Sequence, residues 1–126
     1  MSVLTQPPTM GDVLKYELNP NFTRETVTLL AGTKYPVGAV LGRITASGKM
    51  KLSTASGTDG AQTAAAVMLY AVDATEGDAT GIVVMRGPAL VSKAALVFDA
   101  SVDDAAKTAA KHTQLTALGI IPRDTA

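Results

Sequence analysis

The sequence has no cysteine, no tryptophan, a single histidine, and aromatic residues at only 4% of its 126 positions. Each shortage closes a class of function. Without cysteine there is no disulfide framework, no thiolate metal site and no thiol nucleophile. His112 alone cannot build a histidine-cluster metal site, and it is the only imidazole that a Ser–His–Asp arrangement could use. Charge of either sign is also missing as an excess, because 11 basic residues balance 11 acidic ones. A protein that lives on phosphate contacts needs clustered Lys and Arg, so no nucleic-acid partner is expected. The longest apolar run, residues 64 to 72, is far short of the roughly 20 residues needed to span a bilayer as a helix. Thr5, Gln6, Pro7 and Pro8 interrupt the opening residues, so the continuous apolar stretch of roughly 7–15 residues in a secretory signal is not found there. Neither a membrane nor a secretory route is expected.

What is present is a chain of Ala, Gly, Thr and Val, long enough for one domain. Small side chains bury less area each, and at about 25 cal/mol per Å² that leaves a thin core. Oligomerisation is one remedy for a thin core. Leu14, Tyr16 and Leu18 alternate with Lys15 and Glu17, predicting a strand, and Asn19–Pro20 marks a turn after it. Val27 and Leu29 alternate with Thr26 and Thr28 in a second strand that Gly32 ends. Val37, Ala39 and Leu41 share a parity in the next segment. Ser47–Gly48 then turns the chain into residues 49–53, and residues 54–60 read as a loop. Residues 64–74 carry apolar side chains on both parities, which predicts one strand covered on both sides. Strands are expected in "IVVMRG" and "PALVSKAALVF", joined at Gly87–Pro88. A helix follows with Ser101 as N-cap and Asp104 three residues on, a small-residue face at Ala105, Ala109 and His112, and a stop at Gly119 before a closing strand in "IIP". The fold class is therefore mainly β with one short helix in the C-terminal half: a compact β-barrel domain over residues 33–126 behind an extended arm over residues 1–32.

Chemistry is hard to find in this chain. Asp103 and Asp104 are adjacent, so on a helix they point about 100° apart and share a proton poorly; compensation of the helix dipole accounts for them. Gly57–Gly60 and Gly77–Asp78 lack the ligand spacing of a calcium loop and read as turns. No phosphate-binding or dinucleotide fingerprint occurs. Met10, Met50, Met68 and Met85 read as gap fillers in the core. Neither enzyme activity, metal nor cofactor is expected. The arm stands out instead. Disordered tails are usually charged and poor in large apolar groups. This one keeps Val3, Leu4, Met10, Val13, Leu14, Tyr16 and Leu18, with Pro7 and Pro8 holding it extended. Such a segment loses little entropy when a partner surface fixes it, and its alternation suits strand addition to that partner. The expected contact residues are Val3, Leu4, Pro7, Pro8, Met10, Leu14, Tyr16, Leu18, Val27 and Leu29. On these residues alone, a small β-barrel binding module that donates a strand in a non-viral assembly remains an alternative.

Read in order, "GTDGAQTAAAVMLYAVDAT", "MRGPALV" and "DDAAKTAAKHTQLTALGI" resemble the lambda-like head decoration proteins of tailed bacteriophages, and "YPVGAVLGRIT" resembles the strand that follows the arm in that family. The resembling features are the Asp59–Gly60 turn before the small-residue strand at 64–72, the Arg86–Gly87 break, and the acidic-start helix running from Asp103 to Ile120. Aliphatic residues stand where aromatics are common in the family's later strand, and the arm is longer. The resemblance implies a structural protein without catalysis. It would sit as a homotrimer at three-fold and quasi-three-fold positions on the outer surface of an expanded capsid, having been made in the host cytoplasm. The major capsid protein would be its partner, and its role would be to hold the shell against the pressure of packed DNA.

Overall fold

The computed structural model describes residues 9–124. The first element among the described residues is a single turn, α1 (Met10–Val13), which Thr9 starts by reciprocal bonding with Asp12: the Thr9 backbone N–H donates to Asp12 Oδ2 at 2.8 Å. Val13 at the end of this turn is fully buried, which ties the segment to the domain. Strand β1 (Leu14–Glu17) follows directly. A second single turn, α2 (Pro20–Thr23), is capped by Asn19, whose side chain accepts from the Asn21 N–H at 2.9 Å, and proline at the first helical position suits that start. The chain then enters β2 (Arg24–Leu29).

Five strands hydrogen-bond in a ring: β2, β5 (Met50–Leu52), β4 (Val40–Arg43), β6 (Ala64–Met68) and β8 (Ala79–Val84), with β8 returning to β2. The β2–β8 seam is the longest, six antiparallel register pairs from Arg24↔Val84 to Leu29↔Ala79. The opposite seam is the weakest, closing through the single parallel pair Leu29↔Met50. The Ser47–Gly48 turn behaves as the sequence predicts: Gly48 adopts φ +75°, and β4 and β5 pair antiparallel through Arg43↔Met50. Beside the ring, β3 (Lys34–Tyr35) pairs with β7 (Val72–Asp73). A separate three-stranded sheet has the order β1, β9 (Ala89–Ser92), β10 (Ile120–Arg123), with β1 antiparallel and β10 parallel to β9. The one long helix, α3 (Ala105–Ala117), lies against β10 and β6.

Two small cores replace one large one. The ring encloses Val27, Leu29, Tyr35, Leu41, Met50, Met68 and Val83 among others. The second core, between the ring, the three-stranded sheet and α3, holds Val13, Val40, Val67, Val84, Val91, Leu115 and Ile120 among others. β6 serves both, as its two-sided apolar pattern predicts: Ala66 and Met68 face one core, Ala64 and Val67 the other. Close backbone approach is needed where the chain leaves α3. A Cβ on Gly87 would fall 1.8 Å from the Gly119 carbonyl oxygen, and Gly119 itself adopts φ +82°.

Several expectations need correction. Residues 14–17 and 24–29, read from the sequence as arm, are strands of the domain: β1 is laddered to β9 and β2 forms a wall of the ring. The apolar run at 64–74 does not make one strand. It leaves its ladder at Leu69–Tyr70 and re-pairs at Val72 because β3 offers a separate partner. "PALVSKAALVF" is likewise divided, the strand β9 giving way to a 3-10 turn over Lys93–Ala95. The N-cap of α3 is Asp104, which accepts from Lys107 N–H at 2.8 Å; Ser101 instead bonds Asp99, through its N–H at 3.1 Å and its hydroxyl at 2.6 Å. Ala105 and Ala109 are exposed, and the helix buries Lys111 and Leu115.

Candidate functional site

The expected contact residues fall into three groups. Val3, Leu4, Pro7 and Pro8 lie outside the described residues. Val27 and Leu29 point into the ring, Val27 8% and Leu29 0% exposed, so the barrel wall consumes them and they are not available to a partner without opening it. Met10 and Leu14 are partly buried against the second core. Tyr16 and Leu18 are the ones the structure presents, at 50% and 58% exposure, and Phe22, which the sequence reading did not single out, joins them at 52%.

Their presentation follows from local structure. β1 has β9 on one side and no strand on the other among the described residues, so it is an edge. Its register shifts between Leu14 and Tyr16, and with that shift Leu14 and Glu17 lie partly buried while Lys15 and Tyr16 face out. Tyr16 pairs with Leu90 of β9, and Leu90 pairs with Ile121 of β10. Register partners share a face, so Tyr16, Leu90 and Ile121 form an apolar row across the outer side of the sheet. Beyond the strand, the Leu18 N–H donates to the Pro88 carbonyl at 3.0 Å, which fixes where Leu18 emerges.

A charged clamp stiffens the base of this edge. The Glu17 carboxylate accepts from Arg24 Nε at 3.1 and 3.2 Å and from the Thr23 hydroxyl at 2.6 Å. Burial pushes the Glu17 carboxyl up, but the hydrogen bonds of Arg24 and Thr23 and the Arg24 charge outweigh it and hold the group below its ordinary value. Arg86 lies over the Phe22 ring, 5.6 Å from its centroid, and pairs with Glu25 at 2.9 Å. The turn at residues 20–23 is thereby held at its C-terminal end while the Phe22 ring stays half exposed.

The residues weighed for catalysis sit in plain structural roles. Asp103 pairs with Lys107 at 2.8 Å, and Asp104 caps α3. The His112 ring packs 6.0 Å from Phe98, and its Nε2 has no hydrogen-bond partner among the described residues. Burial, helped by the Lys93 charge and opposed by Asp124, lowers its proton affinity. Among the described residues no three His, Asp or Glu gather where they could hold a metal ion, and no helix there is long and apolar enough to cross a membrane. The exposed row and the turn after it, flanked by ion pairs rather than by a lined cavity, suit contact with another protein's surface.

Signals for Tyr16 and Leu18 were present in the alternation of β1. Phe22 had no such signal, since it stands alone in a turn. Among curated proteins none matches the chain significantly. Residues 3–120 match the family model of the bacteriophage lambda head decoration protein D, and with nearly the whole length covered the chain belongs to that family.

Proposed function

We propose that the protein binds the outside of the expanded phage head as a homotrimer, at three-fold and quasi-three-fold positions, and braces the shell against the pressure of packed DNA. Family membership supports the coarser statement that this is a structural protein of the phage head, decorating its capsid. The finer reading rests chiefly on one observation: the edge strand β1 presents Tyr16 and Leu18 with its outer edge unpaired among the described residues. The residues before Thr9 precede that edge in the sequence. Their apolar, proline-bearing composition (Val3, Leu4, Pro7, Pro8) suits a segment that lies on the major capsid protein.

Tyr70, Ile82 and Val97 are also partly exposed, and Tyr70 lies beside Arg24 of the Glu17 clamp. A ring of like subunits needs two different patches on each copy, one docking onto the other around the axis, and these exposed apolar side chains are the candidates for them. Three arms on one trimer raise the effective local concentration, so avidity exceeds single-arm affinity by about 10²–10⁴. Such a trimer binds only where three capsid subunits present matching sites at the right spacing.

The test is to mix purified protein with expanded, undecorated heads and compare the full chain with a chain lacking residues 1–8. Residues 14–17 must stay, because β1 is laddered into the domain. The full chain is expected to give density at three-fold positions, and the shortened chain to stay folded but leave the heads bare. Decoration by the shortened chain at full occupancy would remove the arm from the account, and density away from three-fold axes would remove the trimer.

A further inference from the structure

Lys111 is buried at 1% exposure, and capsid binding gives it no task. Its Nζ lies 2.9 Å from Ser53 Oγ, 2.6 Å from the Thr54 carbonyl, 2.6 Å from the Gln62 carbonyl and 3.4 Å from Gln114 Oε1. All four are acceptors here. The Ser53 hydroxyl donates to the Ala61 carbonyl at 2.8 Å, so its lone pairs face the lysine. Gln114 Oε1 also accepts from the Ala64 N–H at 2.7 Å, which identifies it as the oxygen of that amide. No carboxylate pairs with Lys111 among the described residues; Asp99 only adds a favourable field from further off, while Lys107 and the Lys51–Asp59 pair engage each other or their own partners. Burial draws the amine toward neutrality. The geometry argues the other way, since a neutral amine has two N–H groups and a lone pair that would face an oxygen, whereas an ammonium has three N–H groups and none.

We propose that the Lys111 ammonium is the resident cation of an oxygen cage, and that helix α3 and the 54–63 loop close on each other only around a charged primary ammonium. The cage oxygens come from both ends of that loop, at Ser53–Thr54 and Gln62, and from the helix itself at Gln114. The loop's other ties run to parts of the fold outside α3: the Thr45 N–H on the Asp59 carbonyl at 2.8 Å, the Ser53 hydroxyl on the Ala61 carbonyl, Lys51–Asp59 at 2.6 Å and the Ala55 N–H on Ser101 Oγ at 2.9 Å. Towards α3 it is bonded through Lys111, with Gln114 taking the Ala64 N–H at its end, so the cage decides whether loop and helix close on each other. This inference is independent of the capsid reading.

Amide hydrogen exchange at Ala55, Gly60, Ala61 and Ala64, measured on the full chain, tests it. Lys111→Met preserves length and packing but leaves the carbonyls of Thr54 and Gln62 without a donor, and exchange at these amides is expected to rise about tenfold or more. In Lys111→Ala, n-propylammonium replaces the missing atoms and is expected to restore protection, whereas tetramethylammonium, which has no N–H, does not. Wild-type protection in Lys111→Met overturns the proposal, as does equal rescue by the two ions. Should neither variant fold, the wild type decides: a slowly exchanging Lys111 NH3+ resonance at neutral pH supports the cage, and a neutral amine there overturns it.

Discussion

Leu29→Ala separates the two readings of residues 24–29, as wall of the barrel or as part of a reaching arm. Leu29 is fully buried, its Cδ1 lies against the Gly81 backbone close to the Met68 methyl, and it also makes the register pair that joins β2 to β5, with Met50. Truncating a buried leucine removes its transfer free energy and leaves a cavity, together about 2–5 kcal/mol. Neighbours at this site are poorly placed to collapse, because Gly81 offers backbone rather than a movable side chain, which argues for the upper half of that range. Whole-domain stability is about 5–15 kcal/mol, and this core of Ala and Val is thin, so the variant gives up a large share of what holds it. The assay is urea unfolding of the free protein. With a slope of about 1–3 kcal/mol/M the midpoint is expected to fall by about 1 M or more at unchanged slope. Leu18→Ala is the matched control: at 58% exposure it is expected to move stability by less than about 0.5 kcal/mol. An unchanged midpoint in Leu29→Ala, combined with loss of head binding, would refute the wall and return residues 24–29 to the arm.

Acid should weaken the base of the edge strand through Glu17. Its folded value is lowered, so as pH falls the unfolded chain takes up the proton first; this contribution is complete above the ordinary value near 4.5 and is lost as pH drops through the folded value. Urea midpoints between pH 6 and pH 3 should therefore fall less steeply in Glu17→Gln than in wild type, and parallel curves would show that the clamp carries no pH dependence. Gly87→Ala should destabilise by about 1–3 kcal/mol, because the new Cβ meets the Gly119 carbonyl, which is backbone and cannot swing away. A thermal midpoint equal to wild type would mean that the α3–β10 junction has slack.

Much of the architecture was legible because alternation is a local property. β2 and β5 show in the sequence as period-two runs and β4 and β8 as apolar runs near turn residues, whereas the register shift in β1 turns Tyr16 away from the face its alternation shares with Leu14; the Gly48 hairpin and Gly119 stop follow from backbone chemistry. What alternation does not carry is the identity of the surface that a face meets. Val27 and Leu29 announce a buried face equally well for a barrel wall and for an arm on a partner; the strand that settles it, β8, lies far along the chain. The run at 64–74 has no punctuation of its own, so its break at Leu69–Tyr70 depends on where β3 lies. Helix α3 misleads for a chemical reason. A lysine normally marks the wet face, and only a cage of carbonyls drawn from a distant loop lets Lys111 mark the dry one.

Under the proposed capsid reading, β1 is an edge strand that must serve one partner and be denied to all others, and its form suits both demands. It is four residues long, its register is broken at Leu14/Tyr16, and Lys15 stands on it with its Nζ on the Gly11 carbonyl at 2.8 Å. Short length, a bulge and a lysine are each devices that keep edges from pairing indiscriminately. The same devices make a single edge a weak binder even for the right surface, since so short a ladder supplies few backbone bonds. Affinity for the head then has to come from number: several edges and arms presented together, as in the proposed trimer, engage only where a lattice repeats the matching site at their spacing. A monomeric variant with an intact edge is accordingly expected to bind heads weakly at any concentration of lattice sites. Tight binding by such a monomer would mean that one edge suffices and that the protection of β1 serves some other end.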